Sequence, residues 1–81
     1  MTIKALIFCK ISHKSMLEVL NKLKEIPEIK KLFSLTGDYD ICAEIEVIEI
    51  DELYISFVKK IDLIEGIINT NTHVVMKEFV K

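Results

Sequence analysis

Arginine is absent from this chain. All eleven basic residues are lysine, set against thirteen acids, for a net charge of −2 over 81 residues. Such a chain has no basic field to hold a nucleic-acid backbone. It also lacks the planar fork that reads guanine or grips phosphate in two places. The expectation is that it does not bind DNA unaided, although a codon bias gives the same composition. Long apolar runs are missing too. The longest, Ala5–Cys9, is far below the roughly 20 residues of a membrane span. The N-terminus has no long apolar stretch or small-residue cleavage site of a secretion signal, so a cytoplasmic protein with no membrane contact is expected. There are only two cysteines, outside any CxxC, and two histidines, with no clustering at ligand spacing. No metal, cofactor or disulfide framework is therefore expected. Strand alternation puts Cys9 with Ile7 and Ile11, and puts Cys42 opposite Ile41 and Ala43, so both read as buried, reduced thiols.

What is present is apolar: 51% of the residues, enough for one small domain, residues 1–81, with apolar surface left over for an oligomer. Ile3–Ile11 reads as a strand apolar on both faces, hence central. A helix follows from caps at Ser12 to Ser15 to about Glu25, with Met16, Val19, Leu20 and Leu23 inward. Pro27 stops further helix. Strands Ile29–Leu35 and Ile41–Val47 flank Gly37. Asp51 is the expected N-cap of a second helix to about Ile64, with Leu53, Tyr54, Phe57, Ile61 and Ile64 inward. Gly66 closes that helix before a last strand, Ile67–Val80. Right-handed crossovers turn this order into an α+β, ferredoxin-like βαββαβ sandwich with sheet order 4-1-3-2. One sheet face then has no helices. Leu6 and Phe8 point there with Cys42, Glu44 and Glu46, which predicts a sheet-to-sheet homodimer.

Thr36-Gly37-Asp38-Tyr39-Asp40 concentrates more chemistry than reversing the chain requires. Gly supplies the positive φ of a tight turn and lets a ligand approach the backbone. Its N–H groups suit a carboxylate, and Asp38 or Asp40 suits an ammonium. Ser34, Thr36, Thr70 and Thr72 add hydroxyls. A small zwitterion such as an amino acid fits this set, though the same residues also serve as ordinary turn and edge-strand residues. The sequence leaves open which aspartate faces the ligand. Catalysis has little support: neither His13 nor His73 is paired with a Ser or Cys in a motif, His73 reads as a cross-strand residue, and Glu44 and Glu46 read as a solvated strand face. RNA recognition would need aromatics on the central strands, where Phe8 stands alone.

With Ile26-Pro27-Glu28-Ile29, the Thr36–Asp40 block, an acidic strand, a helix ending near Gly66 and a Thr-containing strand, the whole chain resembles the effector-binding domain of the Lrp/AsnC transcription regulators. The resemblance implies the same fold, a dimeric α+β barrel, with Leu6, Phe8, Cys42 and Glu44 at the dimer interface and rings of dimers up to octamers. It also implies an amino-acid effector bound between dimers near the turn, with Thr36, Gly37, Asp38, Tyr39, Asp40, Thr70 and Thr72 as ligand-binding residues, to which the hydroxyl reading above adds Ser34. Full regulators of this kind carry an N-terminal helix-turn-helix domain. This chain begins with the first effector-domain strand, so it resembles the stand-alone members, which cannot bind an operator unaided, and full-length regulators are its candidate partners. The alternative is a small enzyme of the related dimeric α+β barrel type, with a titratable group in a deep pocket between sheet and helices.

Overall fold

The computed structural model describes residues 1–81. Four antiparallel strands form one sheet in the order β2-β3-β1-β4, the expected 4-1-3-2 order read from the other edge. They are β1 (Ile3–Ile11), β2 (Ile29–Ser34), β3 (Ile41–Val47) and β4 (Ile67–Val74). Helix α1 (Met16–Lys24), entered through a 3-10 turn at His13–Ser15, connects β1 to β2. Helix α2 (Ile50–Ser56) and a π-helical turn at Phe57–Ile61 connect β3 to β4. This is the ferredoxin-like βαββαβ sandwich.

Strand alternation builds the core. Ala5, Ile7, Cys9 and Ile11 of β1 and Ile41, Ala43, Ile45 and Val47 of β3 turn to the helices, where Val19, Leu23, Leu53, Ile61 and Ile64 meet them. The register places Phe8 opposite Cys42, Leu6 opposite Glu44 and Lys4 opposite Glu46. These residues share the helix-free face.

Four boundaries differ from the sequence reading, the smallest being that β2 ends at Ser34 and not at Leu35. The second helix starts at Ile50 behind Glu49, so Asp51 lies in the first turn and not at the N-cap. Its end widens: Asp62 N–H donates to the Phe57 carbonyl at 2.7 Å, five residues back, which is a π turn. Leu53, Ser56 and Ile61 are buried while Tyr54 is 68% exposed. With Leu53, Ser56 and Phe57 centred on the sheet, Tyr54 sits about 100° round the helix. The last strand ends at Val74, not Val80. The backbone bonding beyond it stops with Val75 N–H to the Lys4 carbonyl at 2.8 Å, although β1 runs on to Ile3.

Candidate functional site

Strands β2 and β3 are joined by residues 35–40. Leu35 N–H donates to the Asp40 carbonyl at 2.9 Å and closes the base of the turn. Gly37 has φ +97°, and the space a Cβ would occupy is open. Asp40 ties the turn to the central strand twice. Its N–H donates to the Cys9 carbonyl at 2.9 Å, and its Oδ2 accepts from Ile11 N–H at 2.8 Å. The β1–β3 ladder ends at Cys9–Ile41, and the carboxylate takes the place of the backbone acceptor that β3 no longer offers.

The rest of the turn is unspent. The N–H groups of Thr36, Gly37, Asp38 and Tyr39 donate to nothing in the chain. The Asp38 carboxylate is exposed, and only its carbonyl is engaged, by Lys10 Nζ at 3.4 Å. Four successive backbone donors beside an ammonium and a free carboxylate can hold an anionic group and a cationic group side by side. Sequence reasoning left the choice between the aspartates open. Geometry assigns Asp40 to holding the backbone and leaves Asp38 free. Lys10 was missed, because its place on the first strand gave no sign that the turn folds back over it.

Tyr39 turns to the helix-free face. Its ring lies 5.8 Å from that of Phe8, and His73 meets Phe8 edge-on at 5.6 Å. The three rings form a row across β1 and β4, the arrangement aromatic quadrupoles favour. Phe33, 45% exposed and opposite Cys42, extends the apolar surface. Alternation along β2 could have revealed it.

The other expected ligand residues are dispersed within one chain. Ser34 pairs with Ile41 on the helix side, at the foot of the turn. Thr70 and Thr72 pair with Cys9 and Ile7, so β1 lies between them and β3, and two strand spacings, about 10 Å, separate them from that strand. Thr72 belongs instead to a groove of about 410 Å³ with Ile50, Leu53, Tyr54, Phe57 and Val58.

Between sheet and helices the packing is apolar. The thiol that it contains, Cys9, is pushed up to about 11 by burial and by its neighbour Cys42. Burial also raises Cys42, and the two remain unbridged. Neither is poised as a thiolate nucleophile. No group of three or more His, Cys, Asp or Glu side chains is placed to hold a metal, and no helix is long and apolar enough to cross a membrane.

Residues 4–81 match the Lrp/AsnC ligand binding domain. The chain is 36% identical over 75 residues to the HTH-type transcriptional regulator FL11 of Pyrococcus furiosus, a match covering 93% of this chain and 49% of the relative. It thus spans about half the length of the curated relatives it matches. Among solved structures it is similar to E. coli AsnC, with a TM-score of 0.92 and 26% identity over 98% of this chain and 54% of that one. The fold is shared with the transcriptional regulator NMB0573 of Neisseria meningitidis, solved as a complex with L-Met, with a TM-score of 0.90 and 17% identity over 98% and 53% of the two chains.

Proposed function

The chain belongs to the Lrp/AsnC ligand-binding domain family, and from that premise we propose that it senses a free amino acid at the Gly37 turn and passes the signal to transcription through full-length regulators. The observation that carries the reading is the turn itself. Four successive N–H groups without acceptors suit an α-carboxylate. The unengaged Asp38 carboxylate suits the α-ammonium, directly or through one water. The L-Met complex of NMB0573 supports a free amino acid as the ligand of this fold.

The same reading calls for partners. The helix-free face carries Leu6, Phe8, Phe33 and Tyr39 beside Cys42 and Glu44, and a second copy packed there by two-fold symmetry covers it. A neighbouring dimer then supplies the hydroxyls of Thr70 and Thr72, which one chain does not bring to its own turn. Regulation goes through a partner protein because arginine is absent and the net charge is negative.

Calorimetry against the twenty amino acids tests the reading. One or a few should bind, and Asp38→Ala should abolish the heat while leaving the fold intact. An amino acid bound equally well by the parent and by Asp38→Ala places the site elsewhere. Binding by none of the twenty removes the reading altogether.

A further inference from the structure

The foot of the turn opens into a second feature. Between α1 and the β2–β3 ladder lies a cavity of about 250 Å³ lined by Met16, Leu20, Lys24, Leu32, Phe33, Ser34 and Ile41. Ser34 and Ile41 are the last paired residues before the turn, so the cavity starts where the turn begins. Helix α1 runs antiparallel to β2. Met16 therefore lies at the turn end and Lys24 at the far end, about 12 Å away along the helix. The cavity is below the roughly 300 Å³ at which sites for drug-sized ligands begin. Its walls between the two ends are mostly aliphatic and thioether side chains, with Phe33 contributing on β2 and Ser34 at the turn end.

We propose that this cavity receives the effector's side chain, and that the effector is an amino acid with an unbranched or γ-branched apolar side chain. The inference rests on the Gly37 turn holding the α-carboxylate and α-ammonium, and it adds the specificity-determining part of the same site. The polar end of such a ligand stays at the free N–H groups and Asp38. Its side chain points down the groove over Ile41 and between Leu20 and Leu32. A polar amide carried past Ser34 would give up water without gaining partners between Leu20 and Leu32. A cationic side chain would in addition run toward the Lys24 ammonium.

A ligand series on the unmodified protein tests this by calorimetry. Affinity should rise from alanine through norvaline to norleucine and methionine, by about fourfold per buried methylene. Asparagine, glutamine and lysine should bind at least tenfold more weakly than methionine. Leu20→Phe, which fills the cavity from a half-buried helix position, should weaken methionine roughly fivefold or more and leave alanine nearly unchanged. Circular dichroism on the same sample checks that the variant is folded. If a polar or cationic amino acid binds best, and Asp38→Ala abolishes that binding, the turn site stands and the apolar side-chain pocket is refuted. If methionine binds and Leu20→Phe binds it equally well, the side chain does not enter this cavity. If no amino acid binds, the turn reading falls and the pocket with it.

Discussion

Asp40→Ala separates the two jobs that adjacent acids perform in one turn. The carboxylate accepts the Ile11 N–H at 2.8 Å, and Ile11 is only 2% exposed. Truncation leaves that donor without its partner in a place water reaches poorly. A hydrogen bond to a charged acceptor contributes about 1.5–3 kcal/mol. For a domain of this size each kcal/mol moves the melting temperature by about 4–8 °C. A loss of about 2 kcal/mol therefore predicts a drop of about 8–16 °C for Asp40→Ala in a calorimetric scan. Asp38→Ala removes an exposed carboxylate with no partner in the chain, and should stay within about 0.5 kcal/mol of the parent. Asp40→Asn keeps an acceptor but loses the charge, and should recover about half of the loss, since charge-assisted bonds are roughly twice as strong as neutral ones. If Asp40→Ala and Asp38→Ala melt together, the carboxylate does not anchor the turn to β1, and Asp40 returns as a candidate ligand group.

The two glycines should respond unequally to alanine. At Gly37 only the positive φ is violated, costing about 1–2 kcal/mol, whereas at Gly66, with φ +105°, the new methyl group would also overlap Ser15 Cβ and meet Ser15 Oγ at 2.9 Å and Val19 at 3.0 Å. Gly66→Ala should therefore cost about 1–3 kcal/mol more than Gly37→Ala in urea unfolding, and a double-mutant cycle with Ser15→Gly should recover much of the excess; equal costs would refute the close approach. Phe8→Asp puts a charge in the centre of the aromatic row and should turn the assembly into monomers by light scattering, whereas an unchanged mass would show that this face is not the interface. A hydrogen bond from Lys60 Nζ at 2.6 Å, joined by one from the Ser56 hydroxyl, holds the Glu28 carboxyl below the usual glutamate range. That contribution is present above the ordinary glutamate range and disappears as pH falls through the lowered folded-state value. Glu28→Gln should flatten that part of an acid stability profile by less than about 1 kcal/mol, because both side chains are partly exposed.

The fold was legible because alternation in β1 and β3 is nearly unbroken. Ile3 to Ile11 is apolar on both faces, which fixed it as a central strand, and Ile41, Ala43, Ile45 and Val47 named the face of its neighbour. The π turn at Phe57–Ile61 was not legible. Leu53, Phe57 and Ile61 repeat at a spacing an ordinary helix also accepts, and only packing against the sheet decides which turn widens. The end of β4 was not legible either, since Val75, Met76, Phe79 and Val80 continue its apolar composition while the strand stops at Val74, before β1 reaches its own start at Ile3. In the site, the Thr36–Asp40 block announced a turn with chemistry. The division of labour between Asp38 and Asp40 depends on a single bond to Ile11, twenty-nine residues away in sequence. No local pattern reports that bond.

The place of β1 in the sheet also bears on how the chain is made. Strand β1 precedes the other three in the chain yet is central in the sheet, and both its neighbours follow it: β3, then β4. Ala5 pairs with Val74, across nearly the whole length. Pairings of such separation are slow to form, because a long loop must close before any contact rewards it. A ribosome-bound nascent chain therefore holds an apolar strand, Ile3–Ile11, with one edge unsatisfied until Ile67–Val74 emerges. Truncation before Ile67 should leave a species that aggregates, and the time between synthesis of Ile3 and release of Val74 is the interval in which a holding chaperone matters most.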